Sequence, residues 1–161
     1  MTTREYNSCV DEHADGLYRF ILKNLRDEHS AQDVVQDAFE KLWVNHGKLD
    51  GGKAKSYLFT TAYHTMIDYI RKQKHSDSRD VLPEMDDGNY QGYSDLEEIL
   101  NSALEKLNEV QRSVILLRDY EGYSYQEIGE ITGLNESQVK VYIYRARMFL
   151  KSYIVSPEHV I

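Results

Sequence analysis

Proline is nearly absent from this chain: two occur in 161 residues, at positions 83 and 157, so almost the whole length is free to be helical. Cysteine is scarcer still. Cys9 stands alone, which excludes an intramolecular disulfide and fits a reducing cytoplasm. No apolar run approaches the ~20 residues needed to cross a bilayer, so no membrane insertion is expected. The opening MTTREYNSCVDEH has no apolar stretch after its charges and shows no export signal. Metal and catalytic signatures are missing as well. Cys9 and His13 lie one helical turn apart and DEH recurs at 11–13 and 27–29, but no four-ligand set assembles around them. There is no phosphate-binding glycine loop and no nucleophile–base pair, so neither a cofactor nor catalysis is expected.

Charge is present in quantity, with a net value of −8 that argues at first against a nucleic-acid partner. Its distribution reverses the argument. Residues 1–74 hold eleven basic and eleven acidic residues, and residues 111–161 hold six of each. Residues 75–110 hold two basic against ten acidic, which is the entire excess. Affinity for DNA depends on the local field, screened over about 10 Å, and not on the chain total.

The periodicity predicts an all-α chain with no strand and no internal repeat. Val10, Ala14, Leu17 and Ile21 mark a first helix. Ser30 is the expected cap of a second, with Val35, Ala38, Phe39 and Leu42 along one face and Asp33, Gln36, Asp37 and Glu40 along the other. After the Asp50-Gly51-Gly52 break, a third helix is expected over 54–73, with Phe59, Tyr63, Met66 and Ile70 inward. Residues 1–75 form one small helical bundle on this reading. Residues 76–93, polar and acidic with Pro83, Gly88 and Gly92, are expected to be a flexible linker. A second domain spans 94–152: a helix capped by Ser94, another capped by Asn108 with Gln111, then two short helices; 153–161 is a tail.

Those last two helices carry the strongest signal. Ser124 with Glu127 forms a capping box, Ile128 and Ile131 give an apolar face, and Gly133 ends the helix. Asn135 with Gln138 caps the next, where Val139, Ile143, Ala146 and Leu150 share one side. From Ser137 to Lys151 there are four basic residues and no acidic one. A helix seated by one face and cationic on another suits a DNA groove, although helix-turn-helix shapes and basic strips also occur as plain packing units and solvated faces. Segment Lys53–Lys74 has five basic residues against one acid, with tyrosines interleaved. That mix suits a melted strand, since rings stack on bases while cations track the backbone. A core role for Phe59, Tyr63 and Tyr69 competes with it.

Together, SAQDVVQDAFEKLW at 30–43, TAYHTMIDYIRK at 61–72 and SYQEIGEITGLNESQVKVYIYRARMFLK at 124–151 resemble the extracytoplasmic-function (ECF) sigma factors of bacterial RNA polymerase, over nearly the whole chain. The resemblance implies a region 2 bundle, of three or four helices, and a region 4 helix-turn-helix domain. It implies that Asp33, Gln36, Asp37, Glu40 and Trp43 dock on the β′ clamp coiled coil of core polymerase, with the β flap as a further partner. Tyr57, Tyr63, His64, Asp68, Arg71 and Lys72 would hold the opened −10 element. Glu136, Ser137, Gln138, Lys140, Val141, Tyr144, Arg145 and Arg147 would lie at the −35 element. A partner anti-sigma factor follows from the same likeness, while the lone cysteine and the missing export signal already give the expected cytoplasmic location. His64 stands where asparagine is common, and Tyr142 and Ser137 replace an arginine and a glycine, which alters the promoter sequence expected. Two other functions fit parts of the pattern: a conventional helix-turn-helix regulator and a purely protein-binding module. The charge map adds one expectation, that the acidic 75–110 segment lies against the basic helices in the free protein.

Overall fold

The computed structural model describes residues 1–77 and 95–155, which form seven α-helices with no strand among them. The expected linker beyond residue 77, the Ser94 cap and the end of the tail lie outside the described residues. Helix α1 (Thr3–Leu25) starts at a Thr2–Glu5 capping box and ends at Arg26 in the left-handed region, φ 60°. Helix α2 (Glu28–Asn45) is capped by Asp27, whose carboxylate accepts from the Ser30 N–H. The cap therefore stands three residues earlier than expected: aspartate caps well and its charge suits the helix N-terminus, leaving Ser30 inside the first turn. Two short 3₁₀ turns lead to α3 (Ala54–Asp77).

These three helices pack as a bundle. Leu17, Phe20 and Ile21 of α1 meet Ala31, Val34, Ala38 and Leu42 of α2 and Leu58, Phe59, Ala62 and Met66 of α3, all buried. Val34 is the buried valine, while Val35 packs half-buried at the edge.

In the second half, α7 (Glu136–Ile154) packs against both α4 (Asp95–Lys106) and α5 (Glu109–Ile115), and α5 continues as a π-helical turn over Leu116–Tyr120. Val114 to Leu117 are buried in succession, the mark of a helix covered on all sides. Helix α6 (Tyr125–Thr132) and α7 form the helix-turn-helix, and both expected capping boxes are present. Gly133 takes φ 81° at the turn. Gly129 is needed for a different reason: a Cβ there would sit 2.8 Å from the Leu134 carbonyl oxygen. The expected apolar side of α7, Val139, Ile143, Ala146 and Leu150, is fully seated in this core.

The halves are docked. Helix α3 lies against α6 and α1 against α5. Phe59 meets Tyr123 edge-on at 5.2 Å, and a buried polar bridge runs from the Arg112 Nε–H to the Asn24 side-chain Oδ1 at 2.9 Å. Arg112 also donates to the Leu107 carbonyl at 3.1 Å, so its buried guanidinium is satisfied from both halves.

Candidate nucleic-acid interface

Seating the apolar side of α7 fixes what faces outward. Glu136, Ser137, Gln138, Lys140, Val141, Tyr144, Arg145 and Arg147 are all exposed, along the outer side of one helix. Their neighbours differentiate them. The Gln138 side-chain oxygen accepts from the Asn135 N–H at 3.0 Å, so the cap uses its acceptor and leaves amide donors for a base edge. Arg147 makes a two-pronged bond to Asp119, its Nε 3.0 Å from one oxygen, which raises its pKa and holds it in place. Lys140 lies 3.8 Å from Glu136, a weak i, i+4 pair. Tyr144 is 65% exposed and Met148, one turn on, is 51% exposed. Met148 was missed by the sequence reading; its spacing of four from Tyr144 was the available signal.

On α3 the expected −10 residues divide. His64, Asp68, Arg71 and Lys72 are exposed, and Tyr57 is half-buried with its hydroxyl accepting from Asn45 Nδ2 at 2.9 Å. Tyr63 is the correction. It is 5% exposed, within the core that Phe59, Ala62 and Met66 build, and its ring cannot stack on a base in this arrangement. Burial raises its pKa, as expected for a hydroxyl away from water. The competing core reading of that ring is the one the packing supports. Beside Tyr57 opens a cleft of about 650 Å³, lined by Lys53, Ser56, Thr60, Thr61 and His64 and, from the other half, Glu130. None of Lys53, Ser56, Thr60 or Thr61 was singled out from sequence, because a lysine, a serine and threonines in a helix carry no pattern of their own.

On α2, Asp33, Gln36, Glu40 and Trp43 are exposed and Asp37 is half-buried, 3.0 Å from Lys41. Trp43 is held in place: it stacks on His46 at 4.2 Å and meets Tyr6 edge-on at 5.0 Å. An exposed indole fixed beside carboxylates makes a rigid anchor for a protein partner.

A basic helix held outward by a helix-turn-helix, and a separate helix with a ring-lined polar cleft, define a two-part helical protein built to handle DNA at two places. Family models agree on both halves. The sigma-70 region 2 model matches residues 9–76 and the sigma-70 region 4 model residues 97–150. The chain belongs to the sigma-70 family of RNA polymerase sigma factors, in its extracytoplasmic-function group. Among its relatives, the ECF RNA polymerase sigma factor SigM of Bacillus subtilis is 28% identical over 87% of this chain and 89% of its own length. RNA polymerase sigma factor SigV of the same organism is 29% identical, over 89% of this chain and 87% of its own. The fold agrees with solved structures: sigma factor RpoE of Bartonella quintana, in complex with the anti-sigma factor NepR, superposes with a TM-score of 0.77 at 23% identity, covering 96% of this chain and 99% of that one. CnrH, in complex with the cytosolic domain of CnrY, gives 0.73 at 24% identity, over 95% of this chain and 89% of that one. Among the described residues, no helix is long and apolar enough to cross a membrane.

Proposed function

We propose that this protein is a promoter-specificity subunit, acting in the cytoplasm and without catalysis of its own, that brings core RNA polymerase to −35 and −10 elements and assists strand opening. The observation that carries this reading is the division of surfaces. Carboxylates and Trp43 lie outward on α2, while cations lie outward on α7 and along α3. An acidic face repels DNA and suits a basic protein surface, so α2 is assigned to the β′ clamp coiled coil. Helix α7 enters the major groove at −35. Ser137 and Gln138 offer hydrogen bonds to base edges, Val141 and Tyr144 offer apolar contact to thymine methyls, and Lys140 and Arg145 hold phosphates or guanine. The α3 cleft, with Tyr57 and His64 on its wall, has the size and lining to receive an unstacked base of the −10 strand. Region 4 is also assigned a contact with the β flap. An anti-sigma partner is proposed as well, in keeping with the complex in which RpoE was solved.

Transcription in vitro with core polymerase over a genomic fragment library tests the reading. Discrete start sites dependent on this chain are expected. Failure to co-purify with core enzyme contradicts it, and specific duplex binding by a dimer of the chain alone would move the conclusion to a conventional regulator.

A further inference from the structure

The two amides at the start of α7 cap one another, and that exchange decides what each can still offer. The Gln138 N–H donates to the Asn135 side-chain oxygen at 2.8 Å, and the Asn135 N–H donates to the Gln138 side-chain oxygen at 3.0 Å. A backbone N–H can be met only by the oxygen of an amide, so the orientation of both groups is fixed. Each oxygen turns back onto the helix terminus, and each NH2 group is left with its hydrogens unspent. Gln138 is exposed, on the wall of an open depression of about 250 Å³ that Asn135, Ser137, Val141, Tyr142 and Arg145 complete. Arg145, two turns on, brings a guanidinium that can only donate. The hydroxyls of Ser137 and Tyr142 are the remaining polar side-chain groups there. The nearest carboxylate, Glu136, projects from the opposite side of the helix and lies 3.8 Å from Lys140. The depression is therefore rich in donors, and its two amide oxygens are already engaged.

Glutamine ordinarily reads adenine with both arms of its amide at once, the oxygen taking an N6 hydrogen while the NH2 meets N7. In α7 the oxygen arm belongs to the cap, and closing that fork means sharing or giving up the bond to Asn135. The four bases divide by what they turn to the major groove. Guanine and thymine show a keto oxygen where adenine and cytosine show an amino group. A keto oxygen accepts from the Gln138 NH2. An amino group brought to the same place loses its water and meets another donor. Guanine, with N7 beside O6, offers such donors two acceptors, and thymine offers one.

We propose that Gln138 reads a keto base, guanine before thymine, at the −35 element, because the helix cap has withdrawn the oxygen that adenine would need. The proposal rests on the −35 reading of α7 and deepens it, since one position of the element is now assigned a class of base.

The test uses the full chain with core RNA polymerase. A promoter found by library transcription is given a randomised −35 element, and transcripts are counted by sequencing. Base preference is compared within each protein, so that changes in overall activity cancel. One position should favour G and T over A and C by roughly tenfold, and Q138A should flatten that position alone. Q138E is the sharper variant. Glutamate at this place in a capping box still accepts from the Asn135 N–H, so α7 keeps its start while the NH2 donor becomes an oxygen. Its preference at the same position should reverse to C and A, with the helix content seen by circular dichroism unchanged. If Q138E loses helix, the parental preference and its loss in Q138A still decide. A Gln138-dependent position that favours adenine in the parent overturns the proposal, as does a keto preference that Q138A and Q138E both leave in place. R145A separates this proposal from the reading beneath it. If R145A alters base preference while the Gln138 variants do not, α7 stays at the −35 element and only this proposal falls. If none of the three alters any position, the −35 reading fails and takes the proposal with it.

Discussion

The recognition helix and the −10 helix carry similar cations but keep them in different company. On α7, Lys140 and Arg145 face outward, and the one strong pair, Arg147 with Asp119, stays within region 4. On α3, Lys55, Arg71 and Lys74 each end on a carboxylate from the other half. The difference lies in prior partners. On the proposed reading, duplex contacts by α7 and strand contacts by α3 would differ in whether an interdomain ion pair must first break.

The comparison assumes that the halves behave as one unit until they are parted, and core truncation tests this most severely. Phe20→Ala removes a fully buried ring from region 2, and Ile143→Ala trims the seat of α7 in region 4. Losses of about 4 and about 3 kcal/mol are expected. If the Asn24–Arg112 bridge couples the halves, each variant shifts one shared urea transition. Adding Asn24→Ala, itself expected to cost about 2 kcal/mol by leaving Arg112 short of an acceptor, should split that transition in two. Two transitions already present in the parent chain would break the comparison, since the halves would then be parted from the outset.

A smaller effect sharpens it. Log affinity for duplex DNA should fall less steeply with log salt by about one for each of Lys140→Ala and Arg145→Ala. Arg71→Ala and Lys74→Ala should leave that slope alone in the free protein, because Glu109 already holds both. Slopes that respond equally to all four substitutions would erase the distinction between the two helices.

The sequence made one side of this comparison legible and hid the other. Helix α7 could be read almost residue by residue, because its capping box and apolar spacing are local rules acting within a few turns. The same holds for Asn108 and Ser124. Where a local rule has two candidates, the reading slipped: Asp27 and Ser30 both can cap α2, and Val34 and Val35 both can line it. Tyr63 shows a third limit, since its spacing satisfies a core position and a DNA-facing one alike and only packing decides. The interface between the halves was legible only as a charge total. Of the carboxylates in 75–110, Glu105 pairs with Arg26 and Glu109 with Arg71 and Lys74, while residues 78–94 lie outside the described residues. Nothing near Glu121 in the chain indicates that its side chain is 4% exposed and held by Arg19, which lies 102 residues away.

Acid provides the gentlest way to separate the two kinds of surface. Burial pushes the Glu109 carboxyl up, but its own backbone N–H, Lys74 and Arg71 together outweigh it, leaving the pKa below the ordinary 4.5. Glu127 is lowered chiefly by the hydrogen bond from Lys55, then by the Ser124 N–H. A group whose pKa falls on docking binds its proton more readily when undocked, so both contribute to closure above about 4.5 and lose that contribution as pH drops through the lowered value. The seating of α7, by contrast, rests on Val139, Ile143, Ala146 and Leu150, none of which titrates. Scattering and circular dichroism recorded from about pH 7 to about pH 3 should therefore show the chain expanding while most of its helix signal remains. Expansion accompanied by a matching loss of helix would mean that acid melts the domains instead of parting them, and the carboxylates would be ordinary stabilising pairs.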